Sequence, residues 1–103
     1  MSRFFPFKTK YEDCTAYVVE KTYACPSNLC LEIHSTDGAP LCIATTNIAG
    51  YVCDYGNVLI KNWSENEGVY EALFKAGVVG PIIRHVPTGF VTAYECKYMK
   101  GSE

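Results

Sequence analysis

Residues 64–77 read Ser-Glu-Asn-Glu-Gly-Val-Tyr-Glu-Ala-Leu-Phe-Lys-Ala-Gly and hold the clearest helix signal in the chain. Small and apolar side chains recur there at the i, i+3, i+4, i+7 spacing of one helical face, at Val69, Ala72, Leu73 and Ala76. Glu71 and Lys75 stand four residues apart on the opposite, exposed side. An apolar face of this kind has to cover a sheet, so the segment predicts one helix, over about residues 65–76, packed on strands.

The two ends of this helix carry their own signals. Ser64 is followed three residues later by Glu67, the capping-box arrangement that satisfies free backbone N–H groups at a helix start. Gly77 accepts the left-handed conformation that ends a helix, and the following Gly80–Pro81 pair prevents the helix from resuming. The helix is therefore expected to begin at Ser64 and to end just before Gly77.

On both sides of the helix the chain has the composition of β-strands. Runs of β-branched, aromatic and other apolar residues are separated by clusters of Gly, Pro, Asn and Asp. The predicted strands cover residues 15–23, 29–35, 41–48, 58–60, 82–86 and 90–99, with residues 87–89 as the last turn. This order predicts an α+β fold, with a mostly antiparallel sheet of about five to six strands and the helix packed on it.

The first predicted hairpin has two alternative registers. Asp37–Gly38 favours a tight turn after the strand 29–35, because both residues tolerate positive φ. A two-residue turn places Cys42 opposite Ile33 on the core face, whereas a five-residue loop places it opposite His34. The sequence leaves both registers open.

Composition excludes several classes of protein. The chain has 103 residues, of which 49% are hydrophobic and 19% charged, as expected for a single domain over residues 1–103. The net charge is −2 and no run of Lys and Arg forms a basic stripe, so nucleic-acid binding is disfavoured. No apolar run reaches the roughly 18 residues of a membrane helix, so no membrane span is expected.

Six cysteines form an even set that would suit a disulfide framework in a secreted protein. No apolar run of signal-peptide length precedes Lys8, so a cytoplasmic protein with free thiols is expected instead. Cys30, Glu32 and His34 alternate on one strand face, which is the alternative of a thiolate-imidazole metal site. Since paired C-x-x-C spacings are missing, we predict no metal and no cofactor.

Two polar clusters are the candidate binding sites. The first lies at the predicted helix start, where free N–H groups and the helix dipole favour anions, and consists of Trp63, Ser64 and Asn66. The only Trp of the chain offers a large contact area to a partner. The second lies beside the last hairpin turn and consists of Arg84, His85 and Thr88. The phosphate-loop, zinc-protease and nucleophile-elbow motifs are missing, so no catalytic residue is predicted.

Three segments in the second half of the chain carry a resemblance. Residues 60–68 (Ile-Lys-Asn-Trp-Ser-Glu-Asn-Glu-Gly), 76–79 (Ala-Gly-Val-Val) and 87–91 (Pro-Thr-Gly-Phe-Val) resemble a family of small uncharacterised proteins encoded by bacterial phages, plasmids and integrative elements. The resemblance covers about half of the chain. It implies a bacterial, cytoplasmic setting and transfers no activity and no catalytic residue.

The sequence thus favours a non-catalytic binding protein of a mobile genetic element that contacts a protein partner, since tyrosine-rich surfaces suit protein recognition. One alternative is a small-ligand protein that holds a nucleotide or another anion at the two polar clusters. Another is a thiol or metal-binding protein. An exposed edge strand would also allow a homodimer to form by strand addition.

Overall fold

The structure, a computed structural model, describes residues 3–99. This part of the chain contains seven β-strands and one α-helix. In chain order the elements are β1 (Phe5–Lys8), β2 (Asp13–Thr22), β3 (Leu29–Ser35), β4 (Pro40–Ile43), β5 (Asn57–Ile60), α1 (Val69–Lys75), β6 (Val79–Thr88) and β7 (Val91–Tyr98). All strand pairs are antiparallel. The predicted α+β class is confirmed.

The strands form two sheets and not the single sheet expected. One sheet has the order β1-β2-β3-β4 and the other the order β5-β7-β6. Residues 44–46 join them, because Ala44 N–H donates to Leu31 of β3 at 2.8 Å while Lys61 N–H donates to Ala44 at 2.8 Å. The predicted strand over residues 41–48 therefore ends at Ile43, where the chain leaves the first sheet for the edge of the second.

The helix α1 lies against β1 and β6. Three residues of the predicted apolar face, Val69, Ala72 and Leu73, are buried. Together with both sheets they enclose the main core, whose largest fully buried members include Phe7, Leu31, Ile33, Ile60, Val69 and Leu73. The predicted packing of the helix on strands is confirmed.

The start of the helix differs from the prediction, and the capping box does not form. Ser64 has a φ of 54° and begins a separate 3-10 turn, Ser64–Asn66, with no side-chain cap. The α-helix starts after Gly68, whose φ of 92° breaks the run. Asn62 takes over the capping role, since its Oδ1 accepts the backbone N–H of Tyr70 at 2.7 Å. A residue seven positions before the first residue of the helix thus caps it, which a local motif cannot reveal.

The end of the helix is as predicted. Gly77 has a φ of 78°, and its N–H donates to Phe74 while Val78 N–H donates to Leu73, at 3.0 and 2.8 Å. This pair of bonds is the Schellman arrangement that satisfies the last carbonyls of a helix. The Arg3 guanidinium donates to the Ala76 carbonyl next to it.

These contacts give a first testable prediction. Replacing Asn62 with alanine should lower the free energy of unfolding by about 1 kcal/mol, because the helix loses its cap. The matched change of Ser64 to alanine should leave stability nearly unchanged, since the Ser64 side chain caps nothing. Urea unfolding of both variants measures the two losses. A larger loss for Ser64→Ala than for Asn62→Ala would show that the capping box caps the helix.

The first hairpin resolves the open register. Ser35 pairs with Ala39 across a three-residue turn, residues 36–38, whose last member is a glycine with a φ of 90°. A bulge then places Cys42 opposite Ile33. The pairing expected of a two-residue turn is observed, although the turn itself is longer.

The last hairpin turns later than predicted. Its turn consists of Gly89 and Phe90, and Thr88 pairs with Val91. The expected turn at residues 87–89 was wrong, because β6 continues through Pro87 as an edge strand that needs no N–H there. The shift sets which residues of β6 and β7 face each other.

The strand β1 was not predicted. Its four residues are too few for a pattern to stand out, yet Phe5 and Phe7 alternate with exposed neighbours and are both buried. Three edge strands, β1, β4 and β6, contain prolines, namely Pro6, Pro40, Pro81 and Pro87. Proline on an edge strand opposes strand addition, so these positions disfavour a homodimer formed through β1, β4 or β6. The homodimer stays a prediction. Within residues 3–99, no helix has the length and apolar character needed to cross a membrane.

Candidate functional site

A buried carboxylate lies at the centre of the second sheet. Glu95 of β7 is 0% exposed, and it stands between Leu59 of β5 and Arg84 of β6. The strand is covered on both faces, because Cys96 faces the main core while Ala93 faces a second, smaller cluster with Leu59. A charged side chain in such a position needs partners to offset the cost of burial.

Four donors satisfy this carboxylate. Tyr51 and Arg84 donate to Oε1, the latter at 2.6 Å. The backbone N–H of Asp54 and the amide of Asn57 donate to Oε2 at 3.2 and 2.8 Å. Four donors match the acceptor capacity of an ionised carboxylate. Glu95 therefore ties together β5, β6 and the connection before β5.

The electrostatics of this cluster favour the ionised form. Burial alone would raise the pKa of Glu95, but the hydrogen bonds from Tyr51, Asn57 and Arg84 outweigh it and bring the pKa to about 2. The same carboxylate raises the pKa of the Tyr51 hydroxyl, which stays protonated and remains a donor. At neutral pH Glu95 is an anion that accepts hydrogen bonds and holds no proton to transfer.

A second anchor comes from Asn28, just before β3. Its buried amide donates to Oδ1 of Asn47 at 3.0 Å and to the Tyr51 carbonyl at 2.8 Å, while its Oδ1 accepts the Cys53 N–H at 3.0 Å. An amide that bonds two backbone groups in this way fixes the path of an irregular segment. Asn28 and Glu95 thus hold the same stretch of chain from opposite sides.

We call this stretch, residues 51–57, the groove loop. It ends in a β-turn in which Asn57 N–H donates to Asp54 at 3.0 Å and Gly56 takes the required φ of 83°. The Gly56 carbonyl accepts the Tyr98 N–H of β7 at 2.9 Å. The groove loop lacks regular structure up to Gly56, yet its backbone is hydrogen-bonded at both ends and in the middle.

An open groove of about 500 Å³ lies between this loop and the first sheet. The groove loop forms one wall of the groove, and residues of β2, the start of β3 and the end of β7 form the other. The lining residues include Glu20, Asn28, Leu29, Val52, Tyr55 and Tyr98. Val52 is 70% exposed and the Tyr55 ring is fully exposed. A fixed backbone therefore presents two apolar side chains to solvent beside a concave surface.

No family model, no curated protein and no solved structure matches this chain. The resemblance of residues 60–91 to proteins of mobile elements stays a prediction. The assignment of the candidate site therefore depends on its geometry alone.

The first predicted binding cluster is divided by the fold. Asn66 is buried, and its amide donates to the carbonyls of Ile43 and Lys61 at 2.7 and 3.2 Å. Trp63 is partly buried and packs on the smaller cluster under the groove loop. Ser64 alone is exposed. Asn66 holds the 3-10 turn to β4 and to Lys61, which follows β5, so its side chain does not belong to a surface that meets a partner.

The second predicted cluster is engaged in internal contacts. The Arg84 guanidinium, 46% exposed, donates to Glu95 and to Asp54, the latter at 2.9 Å. The His85 ring lies 5.5 Å from that of Tyr94, and Thr88 is half-buried at the end of β6. Because Arg84 already serves two carboxylates, it offers little to the nucleotide or anion ligand of the second hypothesis.

The six cysteines are free thiols. Burial raises the pKa of Cys42 and Cys53 to about 11 and that of Cys96 to about 12. These thiols are protonated at neutral pH and are weak nucleophiles and ligands. Within residues 3–99, no group of three or more His, Cys, Asp and Glu side chains is placed to hold a metal ion.

The residues of the groove were missed by sequence reasoning. The turn at residues 54–57 was predicted and is observed, but nothing in its sequence marks it as fixed from both sides. The available signal was Glu95, a charged residue in the middle of an apolar strand. With the correct two-residue turn, counting back along the hairpin pairs it with Arg84.

Proposed function

We propose that this chain is a non-catalytic binding protein whose groove loop recognises a protein partner. The observation that carries the proposal is that Val52 and Tyr55 are exposed on a loop whose backbone is fixed by Asn28 and Glu95. Loops held on a rigid scaffold are the usual place of recognition residues. The proposal takes the groove beside the loop as part of the same surface.

The rigidity of the loop supports recognition on energetic grounds. Ordering a flexible loop on binding costs free energy, and a loop already in its bound shape avoids that cost. Tyrosine adds a large amphipathic contact surface with few rotatable bonds. An exposed tyrosine at the tip of a fixed turn is therefore a favourable anchor for a partner.

The absence of catalysis is part of the proposal, and the state of the reactive groups supports it. Glu95 is ionised with all four acceptor positions used, so it is not available as a general acid or base. The pKa values of about 11 and 12 keep Cys53 and Cys96 in the thiol form. These groups stabilise the loop and strand that present the binding surface.

We further propose that the protein acts in the bacterial cytoplasm as the product of a phage, plasmid or integrative element. This setting comes from the resemblance of residues 60–68, 76–79 and 87–91 alone. Mapping the genes that flank the coding sequence tests it, and a chromosomal housekeeping neighbourhood in related bacteria would contradict it.

Site-directed crosslinking tests the proposed surface. A photoreactive benzoylphenylalanine at position 55 should form discrete adducts in bacterial lysate, whereas the same group at position 90 should not. Phe90 is an equally exposed aromatic residue at the opposite end of β7, in the β6–β7 turn. Adducts that form equally from both positions, or none from position 55, would overturn the assignment of the groove loop.

The partner identified by those adducts then allows a quantitative prediction. Replacing Tyr55 with alanine should weaken its binding about tenfold to a hundredfold, since central aromatic anchors contribute most of the energy of an interface. The stability of the variant should stay unchanged, because the ring packs against nothing in the protein. Calorimetric titration with the Phe90→Ala variant as control measures the effect.

A further inference from the structure

Aromatic and aliphatic side chains form the apolar part of the groove lining, namely Leu29, Val52, Tyr55 and Tyr98. We infer that the groove binds a proline-rich segment of the partner protein in the polyproline II conformation. The inference rests on the proposed function and names the part of the partner that the groove loop would recognise.

Several polar side chains of the lining already have partners inside the protein. The Asn28 amide makes the three hydrogen bonds described above. The Asn57 amide donates to Glu95 at 2.8 Å, and the Tyr98 hydroxyl donates to Glu20 at 2.7 Å. The lining therefore has few free donors, and it offers a guest chiefly the contact of its apolar side chains.

Charged groups of both signs lie on and beside the groove. The carboxylates are those of Glu20 and Asp54, and the cations are Arg3, Arg84 and Lys97. A charged guest would be attracted by one set and repelled by the other, whereas an uncharged guest meets no such opposition. Proline carries no charge, so its recognition does not depend on the net charge of the groove.

Proline has three properties that suit this lining. Its ring packs on aromatic side chains, and proline-rich segments dock in the aromatic-lined grooves of other recognition domains. It has no backbone N–H, so covering it leaves no donor without a partner. The polyproline II conformation is already formed before binding, which lowers the entropy cost of ordering the guest.

The two tyrosines lie on different walls of the groove. Tyr55 is fully exposed on the groove loop, and Tyr98 is partly buried at the end of β7. Because the groove is open, the carbonyl groups of a guest stay in water, where the backbone of a polyproline II helix is solvated. The groove volume of about 500 Å³ lies within the roughly 300 to 1,000 Å³ typical of binding sites.

Nuclear magnetic resonance titration with two blocked hexapeptides tests the inference. Acetyl-hexaproline-amide should shift the backbone amide signals of residues 52–57. A control peptide of alternating glycine and leucine is apolar but flexible and keeps its N–H groups, so it should bind at least about tenfold more weakly. Added salt should leave the hexaproline shifts unchanged, since the peptide has no charge to be screened. Equal binding of both peptides, no shift with hexaproline, or shifts confined to other parts of the chain would overturn the inference.

Variants of Tyr55 test whether the aromatic ring makes the contact. Tyr55→Leu should weaken binding of hexaproline about threefold to tenfold, whereas Tyr55→Phe, which keeps the ring, should bind within about twofold of the wild type. Phe90→Leu removes an equally exposed ring at the opposite end of β7 and should change nothing. Equal losses from the two Tyr55 variants would contradict packing on the ring. A loss from Phe90→Leu as large as that from Tyr55→Leu would place the peptide outside the groove.

The outcome is separable from that of the proposed function. If position 55 crosslinks to a partner and the two hexapeptides behave alike, the groove loop recognises a protein by another chemistry and only the proline inference fails. If position 55 gives no specific adduct and hexaproline causes no shift, both proposals fail.

Discussion

Replacing Glu95 with glutamine is expected to lower the free energy of unfolding by about 3 kcal/mol, within the range for a buried charged group whose partners are removed. Glutamine has nearly the same shape, but its amide group can accept hydrogen bonds only through one oxygen. Two of the four donors around Glu95 would then face an N–H₂ group. If that group replaces Oε2, these donors are the Asn57 amide and the Asp54 N–H. Urea unfolding followed by Trp63 fluorescence measures the loss.

The same variant should change how stability depends on pH. The pKa of Glu95 is about 2 in the folded protein, against an ordinary value of 4.5. As the pH falls below the ordinary value, the unfolded state takes up the proton first, so the stabilisation is full above that value and is lost towards about pH 2. The difference in stability between the wild type and Glu95→Gln should therefore be largest near neutral pH and shrink on acidification.

A matched control separates the buried contact from the exposed one. Asp54→Asn removes the other carboxylate of Arg84, whose side chain is 68% exposed, and exposed ion pairs contribute little to stability. We expect only a small loss from it. A loss as large as that of Glu95→Gln, or a Glu95→Gln variant as stable as the wild type at neutral pH, would show that the buried carboxylate is not what holds the groove loop.

The sequence predicted best those elements whose signals are local. The apolar face of α1 and its glycine stop lie within one turn of the residues they govern, and both are observed. The alternation of β3 is likewise read from neighbours, and its span, Leu29–Ser35, agrees with the prediction. In each case the physical cause, the period of the backbone or the φ of one residue, acts within a few positions.

Predictions failed where a distant residue competes with a local motif. Ser64 and Glu67 fit the capping box, but the helix starts later, after Gly68, and Asn62 caps it by accepting the N–H of Tyr70, eight residues further along the chain. The break between the two sheets has a similar origin, since residues 44–46 find backbone partners on both β3 and β5. The partner residues on β3 and β5 are more than ten positions away in sequence, so a local pattern could not predict these hydrogen bonds.

The candidate site illustrates the same limit. Arg84 was noticed as a polar residue near a turn, and its role depended on the register of β6 against β7. The predicted turn at residues 87–89 pairs Arg84 with Thr92, whereas the observed turn pairs it with Glu95. The shift of the turn therefore decides whether Arg84 is predicted as a solvated residue or as the partner of a buried carboxylate that holds the groove loop.

The largest effect on the fold as a whole is expected from Leu73. Its side chain is 0% exposed at the contact between α1 and the sheets, so Leu73→Ala should lower the free energy of unfolding by about 3 kcal/mol. The loss has two parts, the burial of the removed carbon atoms and the cavity they leave. Thermal and urea unfolding, both followed by circular dichroism, measure it.

Phe74 provides the control on the next position of the same helix. Its ring is 48% exposed and stacks on Tyr70 with 5.8 Å between ring centres, so Phe74→Ala should cost less than about 1 kcal/mol. Both changes to alanine favour the helix itself, because alanine has the highest helix propensity. A larger loss for Leu73→Ala can therefore come only from packing, and equal losses would mean that α1 does not rest on the sheets through this face.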